Sequence, residues 1–237
     1  MTFPAALLIG QLSGRPVVLH VHSLEFDRSG AHPHPRIDAI ERAGVHAADR
    51  VIAVSHYTKA VIARQHGVPL NKIEVVHNGI AHKERLRTFH QAHATRPEKT
   101  VLFLGRVTFQ KGPDYFVEAA AHVIPRCPNV RFVVAGTGDM LPRLVERVAA
   151  LGLSRYFHFT GFVRGQQLEL MFSIADVYVM PSVSEPFGIA PLEALVRDTP
   201  VIISKQSGVS EVLRHALRVD FWDTRRLAEL ILAVLSC

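Results

Sequence analysis

The chain has 237 residues, of which 48% are hydrophobic and 20% charged, a composition that can bury a sizeable core and excludes a disordered tail. Its longest apolar runs, 3–10 and 230–235, are far shorter than the roughly 18 residues that span a bilayer. The net charge of +6 suits an anionic partner such as a nucleotide phosphate or a membrane surface, although solvated surface side chains explain most of it. Nucleic acid is the least favoured partner, because no basic run contains interleaved aromatic residues.

The cysteines and the N-terminus bear on the compartment. Cys127 and Cys237 are the only cysteines, and neither belongs to a C-x-x-C pair, which favours a reducing compartment and no thiolate zinc site. No basic region precedes the short apolar run at 3–10, so a signal peptide is not predicted. We therefore expect a cytoplasmic protein, with peripheral contact to an anionic membrane as an open alternative.

The first third of the chain shows three strands. Short β-branched runs predict the strands, and apolar residues at helical spacing predict a helix between the first two. Ser55 can cap a further helix and Gly67 can end it, while Asn78-Gly79 is a strong turn signal. The predicted segments are strands at 15–21, 50–54 and 73–76, a polar loop at 23–35 and a helix at 36–48.

A linker and a regular alternation follow. The segment 81–99 is the most polar of the chain, so we expect two domains, 1–80 and 100–237. Strands are predicted at 100–105, 130–135, 157–160, 176–180 and 200–203, and helices at 113–124, 140–151, 166–174, 189–197 and 208–215. Such alternation implies an α/β fold with a parallel sheet covered on both faces. Ligands of such sheets bind outside the carboxyl ends of the strands, so the loops there are the candidate site.

The loop after the strand at 100–105 carries two cations. Its sequence from Gly105 to Gly112 is GRVTFQKG, which places Arg106 and Lys111 between a strand and a helix start. Cations at a helix entrance can clamp a phosphate, although the pattern of a Walker A loop is absent. Taken alone, the loop is equally well explained as surface charge beside a turn.

The stretch PSVSEPFGIAPLEAL, residues 181–195, sets two carboxylates around a predicted helix start. Glu185 and Glu193 lie eight positions apart on either side of Gly188. The first N–H groups of a helix are unpaired and, with the helix dipole, form an anion site. Glu185 would lie above that site and Glu193 could face the same crevice. The alternative is a loop acid and a solvated helix residue; the position of Glu185 at a strand's carboxyl end favours a ligand.

Two histidines and a glycine pair are weaker candidates. His20 and His22 point the same way from a strand, but zinc sites need three or four ligands and no third has convincing spacing, so no metal is predicted. His22 ends its strand and can instead face a cleft. Gly136 and Gly138 lack the third glycine of a dinucleotide fingerprint and are interpreted as a tight turn.

Together these motifs are similar to those of GT-B glycosyltransferases, in particular family 4 and its starch- and glycogen-synthase relatives. LFLGRVTFQKG resembles the family's G-R-x-x-x-x-K-G loop, SEPFGIAPLEAL its E-x7-E motif and PVIISKQSGVSEVL the glycine loop beyond it. FVVAGTGDMLPRL and FHFTGFV resemble the two loops that follow the G-R-x-x-x-x-K-G loop in the family. VLHVHSLEF resembles the strand with an active-site histidine, and ADRVIAVSHYTKAVI and VVHNGI the stretch before the interdomain hinge. The motifs occur in the family's order over nearly the whole chain.

The resemblance implies two Rossmann-like domains with parallel sheets across a cleft, the donor lying on the second. It matches Arg106 and Lys111 with a diphosphate-binding pair. It matches Glu185 with the acid that contacts the donor sugar and Glu193 with the acid that holds the ribose.

Further residues follow from the same resemblance. Gly188, Ile189 and Ala190 would offer backbone groups to the diphosphate, and Gly105 belongs to the same donor-binding loop set. His22 matches the histidine on the acceptor side. The family retains the anomeric configuration and needs no metal for the transfer, so the implied ligand is an ADP- or UDP-sugar donor with no further cofactor.

The implied activity is transfer of a sugar to a carbohydrate acceptor. HSLEFDRSG and PSVSEPFG look most like the glycogen-synthase side, so a glucosyl donor and an α-glucan acceptor are the leading hypothesis. The alternatives are a lipid- or surface-polysaccharide-directed transferase and a non-catalytic sugar-nucleotide-binding fragment. The family's N-terminal glycine-rich loop has no counterpart, and the helix expected to cross back onto the first domain is missing. We therefore expect a chain truncated at both ends, with an incomplete first domain.

Overall fold

The chain forms two compact units in a computed structural model that describes residues 2–30, 32–81 and 98–236. Among these residues, the first unit contains those up to Asn78 together with Ser184–Gly188 and Ser207–Val212, and the second contains the remainder. The predicted linker at 81–99 falls mostly on 82–97, outside the described residues, so the domain boundaries stay a prediction.

A three-stranded parallel sheet forms the centre of the first unit. Its strands are β1 (Val18–Val21), β2 (Arg50–Ala53) and β3 (Ile73–Val75), paired in that order. The α-helices described in this unit are α1 (Phe3–Ser13), α2 (Glu25–Ser29), α3 (Pro35–Ala47) and α4 (His56–His66). The three predicted strands and the helix over 36–48 are confirmed, whereas the sequence did not predict α1.

Local capping explains two of these helices. Ser55 Oγ accepts a backbone N–H of α4 at 2.9 Å, and Gly67 ends that helix in the left-handed conformation, as predicted. The loop predicted at 23–35 is wrong in its middle, where α2 forms. The Asp27 carboxylate accepts the Leu24 N–H at 2.8 Å and so satisfies one of the unpaired amides at the start of that helix.

The same carboxylate is buried, since Asp27 is only 2% exposed. Burial raises its pKa above the ordinary value of 3.8, and the negative charge of Glu185 acts in the same direction. Hydrogen bonds from Leu24 and Ser184, with the charge of Arg28, oppose this rise in pKa. The desolvation of Asp27 therefore outweighs its hydrogen bonds, and the ionised form costs the folded chain free energy.

The second unit has a six-stranded parallel sheet in the order β6-β5-β4-β7-β8-β9. Its strands are β4 (Lys99–Leu104), β5 (Val130–Ala135), β6 (Phe157–Gly161), β7 (Val177–Met180), β8 (Val201–Ser204) and β9 (Leu217–Val219). Its described α-helices are α5 (Pro113–Val123), α6 (Leu141–Ala150), α7 (Gln166–Ile174), α8 (Ala190–Leu195) and α9 (Thr224–Leu235). This strand order is that of a doubly wound fold, so the predicted parallel α/β class is confirmed.

The prediction was wrong near the end of the chain. The helix predicted at 208–215 is a short 3-10 turn, Gly208–Glu211, because tertiary hydrogen bonds hold this segment; the Gly208 N–H donates to Glu185 O at 2.9 Å. Neither β9 nor α9 was predicted. A capping signal for α9 was present, since the Asp223 side chain accepts a backbone N–H of that helix at 2.9 Å.

Two observations concern the compartment and the membrane. Within 2–30, 32–81 and 98–236, no helix combines the length and the apolar character needed to cross a bilayer. Cys127 is buried in the core of the second unit and is disulfide-bonded. Cytoplasmic localisation stays an expectation.

The loops at the carboxyl ends of β4 and β5 touch through their backbones. A Cβ added to Gly136 would lie 1.8 Å from Gly105 O, and one added to Gly138 would lie 2.1 Å from Val107 O. Two hydrogen bonds join the same loops, from Gly105 N–H to Ala135 O and from Val107 N–H to Thr137 O, at 3.0 and 2.9 Å. Only glycine permits this approach, which fixes the loop that begins at Gly105.

We expect Gly136→Ala to destabilise the second unit strongly. Its Cβ would overlap a carbonyl oxygen, and its φ of 147° is unfavourable for a side chain. The matched control is Gly152→Ala, which also has a positive φ (68°) but meets no atom within 4 Å. Urea unfolding should show losses of about 3 kcal/mol or more for Gly136→Ala and about 1–2 kcal/mol for the control. Equal losses would mean that the close approach does not limit this position.

We expect Asp27→Asn to change how stability depends on pH. Because the folded-state pKa of Asp27 is raised above 3.8, its contribution to stability is fully present below that pH and is lost as the pH rises through the folded-state pKa. Because asparagine does not titrate, the Asp27→Asn variant does not lose stability in this way as the pH rises. Its free energy of unfolding, relative to the wild type, should therefore increase as the pH rises above 3.8. Asp139→Asn, at an exposed residue, is the control; a parallel pH dependence in both variants would contradict the prediction.

Candidate functional site

The loop after β4 brings Gly105 and Lys111 together. The nearest atoms to a Cβ built on Gly105 are Cδ and Cε of Lys111, both at 4.0 Å. The Lys111 side chain thus passes beside a residue that has no side chain, and this residue type leaves the loop backbone open to a ligand. Lys111 closes a 3-10 turn, Phe109–Lys111, and Gly112 follows in the left-handed conformation as α5 begins.

Arg106 lies in the same loop and is exposed. One of its terminal nitrogens lies 3.4 Å from the Gln110 amide oxygen. Gln110 is only 4% exposed, and its backbone carbonyl accepts the Val183 N–H at 2.9 Å, so it is a fixed residue beside the exposed guanidinium. The structure therefore places both predicted cations on one loop at the carboxyl end of β4; their role stays a prediction.

Helix α8 is shorter than the predicted helix at 189–197. Pro191 stands in its first turn and has no N–H, while the Leu192 N–H donates to Ile189 O at 2.9 Å. Among the described residues, no backbone acceptor is found for the N–H groups of Ile189 and Ala190, which can therefore donate to a ligand, as the first amides of a helix commonly do. Ile189 is 43% exposed, so the start of α8 is accessible to solvent.

Glu193 lies in the first turn of α8 and is partly buried. Its carbonyl accepts a hydrogen bond from Arg197 at 2.8 Å, and Arg197 also pairs with Glu169 at 3.3 Å. These contacts hold the Glu193 backbone. They do not involve its carboxylate, which is the group that the predicted ribose contact would use.

Glu185 belongs to a segment that the first unit holds tightly. It is 6% exposed and forms a parallel bridge with Ser207. The next carbonyl, of Pro186, accepts hydrogen bonds from Ser55 Oγ at 2.5 Å and Thr58 Oγ1 at 3.1 Å. Glu185 is therefore a buried acid in the loop between β7 and α8, and its contact with a ligand stays a prediction.

The glycine after this bridge is required by packing. A Cβ on Gly208 would lie 2.2 Å from Pro186 O and 2.5 Å from the Ser55 Cβ. Gly188, at the end of the Glu185 segment, has a φ of 94°, which a residue with a side chain rarely adopts. A glycine thus lies on each of the segments Ser184–Gly188 and Ser207–Val212, whose backbones are in close contact.

Sequence reasoning missed a buried polar cluster beside Glu185. The Ser184 hydroxyl donates to the Asp27 carboxylate at 2.7 Å and lies 2.9 Å from the Tyr57 hydroxyl. Asp27 lies 157 positions before Ser184. No spacing rule within one sequence links residues so far apart, so the only available signal was an acid in a loop after a strand.

A second missed residue is Glu211. Its carboxylate accepts the N–H groups of His56 and Tyr57 at 2.9 and 2.7 Å, and so occupies the N-terminus of α4 as a helix-capping anion. His77 Nε2 lies 2.9 Å from the same carboxylate. The start of α4 is therefore already satisfied by the protein itself.

His22 lies at the end of β1 and is exposed. Its ring lies 4.1 Å from that of His20, so the two side chains share one side of the strand, as predicted. Burial lowers the pKa of His20, and the charge of His22 acts in the same direction. In the described ranges no group of three or more His, Cys, Asp or Glu residues is placed to hold a metal.

Two family models match the chain in succession. The model described as Glycosyltransferase Family 4 matches residues 1–84, and the model described as Glycosyl transferases group 1 matches residues 86–237. The second match covers more than half of the chain and contains Arg106, Lys111 and Glu193.

Curated and solved proteins agree with these matches. An uncharacterized glycosyltransferase of Methanocaldococcus jannaschii is 34% identical over 212 residues, covering 84% of this chain and 54% of its own. HepE of Anabaena, solved with UDP and glucose, has a TM-score of 0.82 at 20% identity and covers 98% of this chain and 65% of its own. Sucrose-phosphate synthase from Thermosynechococcus elongatus has a TM-score of 0.81 at 24% identity, with 97% and 62% covered.

The two solved structures show the fold, which is the predicted GT-B arrangement of two Rossmann-like parts. The chain spans about half the length of the curated relatives it matches, such as 54% of the Methanocaldococcus protein. Two consecutive family matches, the parallel sheets and the predicted motifs lead to one conclusion: the chain belongs to the family 4, group 1 glycosyltransferases of the GT-B fold.

Proposed function

We propose that this chain binds a nucleoside-diphosphate sugar and takes part in transfer of the sugar, with retention of configuration, to a carbohydrate acceptor. The observation that carries the proposal is the loop from Gly105 to Gly112, which lies in the matched family segment. It places Arg106 and Lys111 at the carboxyl end of β4, where parallel α/β sheets bind ligands.

The charges fit the reaction. When the bond between the anomeric carbon and the diphosphate oxygen breaks, the electron pair stays on the diphosphate and positive charge develops on the sugar. Arg106, Lys111 and the amides of Ile189 and Ala190 are assigned to the diphosphate, because fixed donors stabilise charge that develops in the transition state. In this assignment the protein supplies the positive charge, and no metal is invoked.

The two glutamates are assigned different contacts. Glu185 is buried in a segment held by hydrogen bonds on both sides, which suits a fixed acceptor for the hydroxyls of the donor sugar. Glu193, in the first turn of α8, is assigned to the ribose. His22 is assigned to the acceptor side. Since Glu185 and Glu193 serve separate parts of the donor, they are not the carboxylate pair of a hydrolase.

The proposed donor is a UDP- or ADP-glucose and the proposed acceptor an α-glucan. The similarity of HSLEFDRSG and PSVSEPFG to the glycogen-synthase side of the family supports the acceptor. The structure of HepE with UDP-glucose, which shares the fold, makes UDP-glucose the first donor to test.

A transfer assay tests the function as a whole. The chain is incubated with UDP-glucose or ADP-glucose and α-glucans of increasing length, and the anomeric configuration of the product is read by NMR. Length-dependent transfer giving the α-anomer is expected. Transfer only to a lipid-linked acceptor would replace the α-glucan, a β-anomer would refute retention, and nucleotide binding without any transfer would leave a binding module.

We expect Arg106→Ala and Lys111→Ala each to weaken UDP binding. Each removes a charge-assisted hydrogen bond to the diphosphate, a loss of about 1.5–3 kcal/mol, or roughly ten- to 150-fold in affinity. Isothermal calorimetry with UDP and ADP measures the loss. Arg131→Ala is the control, because Arg131 makes an exposed ion pair with Glu98 at 2.8 Å and is assigned no ligand. Wild-type affinity in both test variants would contradict the diphosphate assignment.

We expect Glu185→Gln and Glu193→Gln to differ in which ligand they weaken. Glu193→Gln should reduce the affinity for UDP and for UDP-glucose by the same factor, because both carry the ribose. Glu185→Gln should reduce only the affinity for UDP-glucose, because its partner is the sugar. Calorimetry with UDP and UDP-glucose measures, for each ligand, the ratio of wild-type to variant affinity. Equal loss of UDP in both variants would show that the two roles are not separate.

A further inference from the structure

A buried hydrogen-bonded chain leads to the residue before Glu185. Two successive hydrogen bonds connect three side chains. The Tyr57 and Ser184 hydroxyl oxygens lie 2.9 Å apart, and the Ser184 hydroxyl donates to the Asp27 carboxylate at 2.7 Å. Ser184 is 7% exposed and Asp27 is 2% exposed. Such a cluster is shielded from water, so its hydrogen bonds are strong and its geometry is well defined.

The Ser184 hydroxyl donates to Asp27 Oδ1, and this hydrogen bond sets the order of protons in the chain. A carboxylate oxygen without a proton only accepts hydrogen bonds. The Ser184 oxygen is then left as an acceptor, and the Tyr57 hydroxyl donates to it. The second oxygen of Asp27 accepts the Leu24 N–H at 2.8 Å. One arrangement of protons is therefore favoured over all others.

The segment that contains Glu185 is fixed at three successive residues. Asp27 holds the Ser184 side chain, the Gly208 N–H holds the Glu185 carbonyl at 2.9 Å, and the Ser55 hydroxyl holds the Pro186 carbonyl. Of the three, only the Ser184 anchor uses a charged group.

Titratable and charged groups from several elements surround Asp27. Arg28 follows it on α2, Tyr57 lies on α4, Glu41 on α3 is coupled to it, and Glu185 lies in the segment it anchors. Two of these neighbours are acids, and burial raises the pKa of Asp27. Burial of an acid beside two other acids costs the folded state free energy, and such perturbed acids cluster at functional sites although structural networks also contain them.

We propose that Asp27 and Ser184 are positioning residues for Glu185, which they fix in the orientation needed to contact the donor sugar. The inference rests on the proposed function, because it uses the assignment of Glu185 to the sugar. It adds two residues that the motif around Glu185 does not assign, and neither is proposed to touch the donor.

Sugar-specific binding tests the proposal. Ser184→Ala, Asp27→Ala and Asp27→Asn are compared with the wild-type chain in calorimetric titrations with UDP and with UDP-glucose, or with ADP and ADP-glucose if the wild type prefers adenine. Ser184→Ala should weaken UDP-glucose by about three- to tenfold, the effect of one net hydrogen bond, and leave UDP unchanged within twofold. Asp27→Ala should do the same where it folds.

Asp27→Asn is the conservative variant. An asparagine can accept the Leu24 N–H through its oxygen and donate to the Ser184 oxygen through its nitrogen, so the heavy atoms keep their places while the proton order reverses. It should retain more of the UDP-glucose affinity than Asp27→Ala or Ser184→Ala. Urea unfolding of each variant separates lost affinity from lost folding.

The controls remove the same groups elsewhere in the first unit. Ser29→Ala deletes a hydroxyl that donates to Glu25 O at 2.9 Å, and Asp38→Ala deletes a partly exposed acid. Both should keep the wild-type ratio of UDP-glucose to UDP affinity. If the controls change the ratio of UDP-glucose to UDP affinity by a similar factor, the changes at Asp27 and Ser184 reflect a general structural effect, and the proposal is overturned.

The outcomes separate the two levels of inference. If Glu185→Gln loses UDP-glucose while Ser184→Ala and Asp27→Asn keep the wild-type ratio, the positioning role is overturned and the proposed function stands. If the wild-type chain binds neither nucleotide nor nucleotide sugar, the proposed function fails and the positioning role fails with it. A selective loss of UDP-glucose affinity in Ser184→Ala and Asp27→Ala, with a smaller loss in Asp27→Asn, supports both.

Discussion

Hydrogen bonds to the carbonyl of Pro186 hold the segment of the candidate site that contains Glu185. Two hydroxyls of the α4 start, Ser55 and Thr58, donate to it, and the absence of a side chain at Gly208 leaves room for it. Along the chain the segment Ser184–Gly188 joins β7 to α8, yet its contacts assign it to the first unit. The residue that is predicted to meet the donor sugar is thus held by the part of the chain that carries His22.

Buried acids distinguish the first unit. Asp27 and Glu41 are 2% and 3% exposed, and burial raises the pKa of both. Glu41 accepts the Glu25 N–H with both oxygens and pairs with Arg28 at 3.3 Å. Because replacing buried charges by apolar residues is often neutral or stabilising, packing alone does not account for this choice of residues. The hydrogen bonds of both acids hold the backbone at Leu24 and Glu25, directly after β1.

The second unit fixes its loop by packing rather than by charge. Phe116, Phe132 and Phe157 pack with ring centroids 5.4 to 6.3 Å apart in its core, and such aromatic pairs add to the stability gained from burial. The backbone contacts of Gly136 and Gly138 then carry this rigidity to the loop that contains Arg106. A fixed backbone beside the exposed Arg106 would lose less freedom when a phosphate binds.

The sequence by itself determined the parallel α/β class, the three strands of the first unit and the loops at the carboxyl ends of β4 and β7. These features follow from local patterns: β-branched runs, helical spacing, glycines at turns and the spacing of Glu185 and Glu193. The local capping of α2 by Asp27 was not recognised in the sequence, and the 3-10 turn at Gly208–Glu211 depends on a partner outside its segment. Only the tertiary structure decided that Ser184 meets Asp27 and that Pro186 meets Ser55, 157 and 131 positions away. Such contacts are selected by the packing of the whole unit, where an unpaired buried polar group would cost free energy, and no local pattern contains that constraint.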